Sequence, residues 1–147
     1  PRGGAEGVIV VAVNRHNELL LIREYAAGFH EIQLTLPKGL VEPQESMEAA
    51  ASRELAEEVG FAANRTKLVK RLTLAPSHMG FSINVVFATD LYPHQLQGDE
   101  PEPIELVPWP LQRLDELLHN EEFCEARAIA ALALCRPLFS QLLEATD

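Results

Sequence analysis

Residues 46–60 read Ser-Met-Glu-Ala-Ala-Ala-Ser-Arg-Glu-Leu-Ala-Glu-Glu-Val-Gly, and this stretch decides the fold. From Ser46 to Val59 no Gly or Pro occurs and Ala and Glu dominate, the composition of a helix. Ser46 can cap its start and Gly60 can end it. Inside it, Arg53-Glu54-Leu55-Ala56-Glu57-Glu58 places Glu54 and Glu58 at i,i+4 and Glu54 and Glu57 at i,i+3. Three carboxylates then share one face, where like charges cost an isolated helix roughly a few tenths of a kcal/mol per pair. A hard cation reverses that sign, because oxygen ligands arrayed along a face suit Mg²⁺ or Mn²⁺. The bland alternative is a solvated acidic helix face. Arg53 stands four residues before Glu57 and can pair with it. Ala49, Ala50, Leu55 and Val59 form the opposite face, where small side chains allow close packing on a sheet.

Upstream, Pro37-Lys38-Gly39-Leu40 makes a tight turn. Its backbone, at Lys38, can supply a carbonyl ligand, and Gly39 permits close approach. Glu45 enters just ahead of the helix, at its positive dipole end. Further out, Val8 to Val13, the turn residues Asn14 to Asn17, and Glu18 to Arg23 predict a hairpin. A short strand is expected over Glu31 to Leu36, with two more over Lys67 to Leu74 and Phe81 to Asp90. The acidic, proline-bearing stretch Tyr92 to Pro103 reads as a mobile loop, and Glu105 to Trp109 as a short strand. Leu111 to Leu118 and Phe123 to Leu143 read as helices. In the second, Ala126, Ile129, Ala130, Ala133 and Leu134 fall on one stripe, and Pro137 kinks or splits it. Strands, a helix, more strands and then helices predict an α/β chain, a mixed sheet with helices on its faces.

At 147 residues the chain is the size of one domain. Hydrophobic residues make up 47% and charged residues 23%, which excludes wholesale disorder. The net charge of −10 argues against nucleic acid and against anionic membranes as partners. The apolar runs are shorter than the roughly 20 residues that span a bilayer, and no signal peptide is apparent. Cys124 and Cys135 read as buried, reduced thiols on one helix, as in a cytoplasmic protein.

The pattern Gly39, Glu45, Arg53-Glu54-Leu55, Glu57-Glu58, Gly60-Phe61 resembles the Nudix box at all nine defined positions of its 23 residues. The resemblance extends over most of the chain. It implies an α/β/α sandwich, a single domain over residues 1–147, and metal-dependent cleavage of a nucleoside diphosphate linked to another moiety. Four features resemble the ADP-ribose pyrophosphatase and ADP-compounds hydrolase branch. They are Pro76 fifteen residues past Phe61, the segment Leu21 to Tyr25, the acidic loop Gly98 to Glu105, and the run from Tyr92-Pro93 to Trp109-Pro110-Leu111. One departure is Thr35, where the branch often carries Glu. Signatures of the NADH- and coenzyme A-preferring branches are not seen.

By this resemblance Glu54 and Glu58 are metal ligands, the Lys38 carbonyl is another, and Glu57 is a shared ligand or helper. The general base falls on the loop before the last strand: Glu100 as base and Glu102 as ligand, with the swap open. A solvated acidic loop is the alternative, although Pro101 and Pro103 restrict the backbone there. Arg23 reads as a phosphate or ribose contact, or as an edge-strand surface charge. Tyr25 or Phe29 can stack on adenine or pack in the core. His78 can approach the pocket or be a plain loop residue, and Trp109 reads as core. His16, His30, His94 and His119 lack metal-ligand spacing.

Three functions remain at this point: an Mg²⁺-dependent ADP-ribose or ADP-compound pyrophosphatase, a Nudix hydrolase of nucleoside triphosphates or dinucleoside polyphosphates, and a non-catalytic nucleotide sensor. The intact Arg53, Glu54, Glu57 and Glu58 set speaks against the last. Relatives of the first kind carry an N-terminal strand-rich segment that builds a two-fold dimer. A homodimer is therefore expected, with that segment outside this chain.

Overall fold

The computed structural model describes residues 4–98 and 103–145. Two sheets lie side by side as one middle layer. The first has the order β4-β1-β6-β5, from β1 (Glu6–Ala12), β4 (Lys38–Leu40), β5 (Phe61–Thr73) and β6 (Ser82–Pro93). The second has the order β3-β2-β7, from β2 (Glu18–Ala26), β3 (Glu31–Thr35) and β7 (Glu105–Pro110). α1 (Met47–Val59) covers one face, and α2 (Leu114–Leu118) and α3 (Ala126–Ala145) cover the other. The fold is the expected α/β/α sandwich.

Strand alternation assigns side chains to the two faces. Val8, Val10 and Ala12 of β1, and Leu20 and Ile22 of β2, pack with Ala50, Ala51, Leu55 and Val59 of α1. Ile9, Val11, Val13, Leu19 and Leu21 pack with Ala128, Ala131, Leu132, Cys135 and Phe139 of α3. Both faces of β1 are buried, so it is a central strand.

The predicted hairpin is corrected for that reason. β1 pairs with β4 antiparallel and with β6 parallel, whereas β2 pairs with β3 and β7. The single bridge between the two segments is Val13 to Leu19. The turn is as its chemistry suggests, with Asn14 Oδ1 accepting from the amides of His16 and Glu18 at 3.0 Å. It carries the chain from one sheet to the other. β5 begins at Phe61, earlier than expected, and Tyr92 and Pro93 belong to β6 rather than to a loop.

α1 has the expected limits. The Ser46 side chain accepts from the Ala49 amide, and Gly60 takes the left-handed conformation (φ 77°) that ends the helix. Its packed face differs by one position: Ala49 is exposed, while Ala50, Ala51, Leu55, Ala56 and Val59 are buried. The expected stripe on α3 is also displaced. Ala126 and Ala133 are exposed, and the sheet-facing set is Ala128, Ala131, Leu132, Cys135 and Phe139. Pro137 does not split α3. Pro137 and Ala133, whose carbonyl loses its helical donor, both lie on the exposed side, where water can satisfy the freed group. At 20 residues and a mean hydropathy of 1.3, α3 has the length and apolarity of a membrane span. Its buried stripe nonetheless packs on the sheet. Cys135 is buried, its thiol pushed up to about 12 by burial, but Cys124 is exposed and precedes the helix.

Candidate active site

The acidic face of α1 turns toward β4 and β2. Glu54 and Glu58 are 7% exposed, an unusual burial for carboxylates. β4 approaches so closely that a Cβ on Gly39 would lie 2.1 Å from the Glu54 Oε1. A side chain at position 39 would displace the Glu54 carboxylate.

Arg53 organises the rest. Its Nε and Nη2 donate to the two oxygens of Glu45 at 2.8 and 3.0 Å, a bidentate pair. Nη2 also donates to the Leu40 carbonyl at 2.9 Å, and Nη1 donates to Glu54 Oε1 at 2.9 Å. The expected pair with Glu57 is present but longer, at 3.5 Å. Arg53 thus ties the segment after β4 to the carboxylate face. The Arg53 guanidinium holds the Glu45 carboxyl below its ordinary range, and Glu45 in turn raises Arg53.

Glu58 is the most perturbed group. Its Oε2 accepts from the Lys38 amide at 3.2 Å, while the buried Oε1 has no protein partner. Burial pushes its pKa up to about 9, assisted by the charges of Glu24 and Glu54 and opposed by Lys38. The Lys38 ammonium pairs with Glu24. A buried, partnerless carboxylate oxygen beside two further carboxylates and a glycine cradle is a donor set that fits a divalent cation. Among the described residues no three His, Cys, Asp or Glu side chains are yet gathered as a metal cluster. Arg53 holds Glu54 and Glu57 instead.

The structure therefore brings Lys38, Gly39, Arg53, Glu54, Glu57 and Glu58 together. It does not bring the other candidates to them. Arg23 and Tyr25 continue the Leu19–Leu21 alternation and lie on the α3 side of β2, opposite Glu24. Arg23 pairs with Glu105 and Glu122, both at 3.2 Å, and these partners raise its pKa. The Tyr25 hydroxyl bonds His30 Nδ1 at 2.9 Å, and Phe29 is 76% exposed, so neither is core. His78 is exposed in the turn between β5 and β6, its amide bonded to the Ala75 carbonyl at 2.8 Å. Trp109 is half-buried against the α3-side core and donates to the Arg113 carbonyl. Glu100 and Glu102 lie outside the described residues. The segment leading to them packs on α1: the Leu96 amide bonds the Ala56 carbonyl at 3.2 Å, and Gly98 lies against Glu57.

Glu24 is the neighbour that sequence reasoning missed. Its signal was positional: it follows Ile22 by two residues, on the face of β2 that looks at α1.

A central strand layer, a capped helix with a buried carboxylate face and an Arg clamp define an α/β/α sandwich whose donor set fits a divalent cation. The NUDIX domain model matches residues 4–132, and the chain belongs to that family of hydrolases. It is 50% identical over 129 residues to the ADP compounds hydrolase NudE of Escherichia coli (strain K12), covering 88% of this chain and 68% of that protein. It is 24% identical over 127 residues to the ADP-ribose pyrophosphatase of Bacillus subtilis (strain 168), covering 85% and 69%. A crystal structure of an ADP compounds hydrolase superposes with a TM-score of 0.89 at 46% identity, covering 93% of this chain and 74% of that one.

Proposed function

We propose that this chain hydrolyses the pyrophosphate bond of ADP-ribose and related ADP-X compounds, releasing AMP. The observation that carries this reading is the buried Glu58, one oxygen without a protein partner, beside Glu54 and the Arg53 clamp. The 50% identity to an ADP compounds hydrolase supports the substrate class.

Glu54, Glu58 and Glu57, with the Lys38 carbonyl and Glu102, would hold Mg²⁺, or Mn²⁺ in its place. Bound there, the cation supplies positive charge against the diphosphate and lowers the pKa of water nearby. Water adds its oxygen to one phosphorus, and the bond from that phosphorus to the bridging oxygen breaks. The products are AMP and X-phosphate. Glu100 would take the water's proton on its carboxylate, a role supported by Gly98, two residues before it, lying against Glu57. Arg53 keeps Glu54 and Glu57 in place. Gly39 lets the β4 backbone approach. Arg23, Tyr25 and His78 would meet substrate only through parts that extend past the α1 face.

We also take residues 1–147 as one Nudix domain, cytoplasmic and homodimeric. Exposed Tyr25, Phe29 and Ile32 near the β2–β3 turn support self-association, and free cysteines support the compartment. A panel of ADP-ribose, ADP-sugars, NADH, diadenosine polyphosphates and nucleoside triphosphates with Mg²⁺, read by product chromatography, tests the function. AMP as the shared product from ADP-X is expected. Preferential release of pyrophosphate from triphosphates would overturn the reading, and so would binding without turnover.

A further inference from the structure

Thr35 is 2% exposed, and its hydroxyl is buried with no hydrogen-bond partner in the protein. Native folds rarely leave a buried hydroxyl unpaired, and such exceptions call for an explanation. In the β2–β3 register Thr35 lies opposite Ile22, and Gln33 opposite Glu24. Ile22 packs with α1, so Thr35, Gln33 and Glu24 share the face that carries Glu58. They line a cleft of about 190 Å³ with Lys38, Glu125 and Arg127.

Its walls carry paired charged side chains beside Ala26. Lys38 pairs with Glu24 on one side. On the other, Glu125 pairs with the Arg127 Nε and accepts from the Ala128 amide at 2.8 Å, which fixes it at the start of α3. Among the described residues the two Nη groups of Arg127 have no hydrogen-bond partner and remain as donors. The cleft joins the metal-helix site through Lys38, whose amide bonds Glu58. Its volume corresponds to about six waters at ~30 Å³ each, a pentose-sized space. No aromatic side chain lines it, so a nucleobase would find no ring to stack on. Alternating carboxylates and cations with an amide and a hydroxyl suit vicinal hydroxyl groups.

We propose that Thr35 and Arg127 form the subsite for the sugar hydroxyls of the X half of ADP-X, selecting polyhydroxylated leaving groups. This rests on the pyrophosphatase reading above. The Thr35 hydroxyl receives its partner from the substrate, and Arg127 donates to a second sugar oxygen.

The test compares ADP-ribose with the propyl ester of ADP, which keeps the pyrophosphate and lacks the sugar. Thr35→Val should lower kcat/KM for ADP-ribose about 5- to 10-fold, and Arg127→Gln about 10- to 100-fold, mainly through KM. The ratio of kcat/KM for ADP-ribose over propyl-ADP should fall by the same factors. Thr35→Val should melt at or above the wild-type temperature, since it replaces a partnerless buried hydroxyl with a methyl group. Equal losses on both compounds, or ADP-ribose turnover within two-fold of wild type, would overturn the subsite. A wild-type chain that releases no AMP from either compound would overturn the pyrophosphatase reading itself, and the subsite with it.

Discussion

The two faces of the central layer are built on opposite rules. Toward α3 the buried side chains are large and apolar, with Phe87, Phe123, Leu132 and Phe139 among them. Toward α1 they are small, mostly Ala and Val. Among the described residues, all five buried polar ones, Thr35, Glu54, Glu58, Ser82 and Asn84, fall on the α1 side by strand alternation or by position on α1 itself. So do the two partnerless buried side-chain atoms among the described residues, Thr35 Oγ1 and Glu58 Oε1. One face holds the molecule together, and the other buries polar groups and leaves two of their oxygens without a protein partner. Close packing of small residues is what allows the second, because β4 can then reach within contact of Glu54.

The largest separation between the faces should appear at Glu58. Glu58→Gln should lower kcat by about 10³-fold, comparable to loss of one preorganised electrostatic stabiliser. It should leave stability nearly unchanged in metal-free buffer at neutral pH. With its pKa near 9, Glu58 is protonated there, and Gln resembles the protonated carboxyl in shape. Steady-state kinetics at saturating Mg²⁺ together with a thermal melt check both halves. Near-wild-type turnover would remove Glu58 from the cation's ligands.

The converse experiment is Leu132→Ala on the α3 face. Leu132 is fully buried in the larger core. The cavity should cost about 2–5 kcal/mol of stability, read by denaturant unfolding, while kcat of the folded fraction stays within about two-fold. A large kcat loss at full folding would mean that the faces are not separable.

This division explains what was legible beforehand. The helix from Ser46 to Gly60 could be read because its signals are local: a cap, a left-handed stop and a 3.6-residue spacing of carboxylates. Lys38 and Gly39 were legible for the same reason, lying a few residues ahead of it. The pairing of β1 was not, since a strand buried on both faces has no alternation and says nothing about its neighbours. The α3 stripe slipped because nearly every residue there is apolar. Arg23 and Tyr25 stand out by their resemblance to a basic-aromatic segment, and that resemblance does not say which face of β2 they take. Glu24, one position along, takes the site-facing direction. Arg127 gave no signal, since it reaches the cleft from a segment some ninety residues further along the chain.

A smaller effect tests the electrostatics of the α1 face through pH. Glu58 titrates near 9 in the folded metal-free chain against an ordinary value of 4.5 unfolded. Between these values the folded state binds the extra proton, so stability falls as pH rises, by at most about 1.4 kcal/mol per pH unit. Below the unfolded value the penalty is absent, and above the folded value it is complete. In EDTA the wild type should therefore melt lower at pH 8.5 than at pH 6, with a shallower slope for Glu58→Gln. Parallel slopes would place the titration elsewhere.

The smallest effect sharpens the comparison within α1. Ser46 sits at the helix start, its side chain accepting from the Ala49 amide at 3.0 Å, and it is exposed. Ser46→Ala leaves that amide to water and should cost about 1 kcal/mol, typical of a lost N-cap. Glu54 and Glu58 lie two to three turns further on, held by Arg53 to Glu45 and by the Lys38 amide, contacts that do not involve Ser46. Fraying of the first turn should therefore stop before the carboxylate face. The expected result is a melting temperature a few degrees lower with kcat/KM within about two-fold of wild type. A drop in kcat/KM matching that of an Arg53 variant would show that the clamp and the cap act as one unit. The acidic face would then depend on the whole helix, not on the Arg53 contacts that surround it.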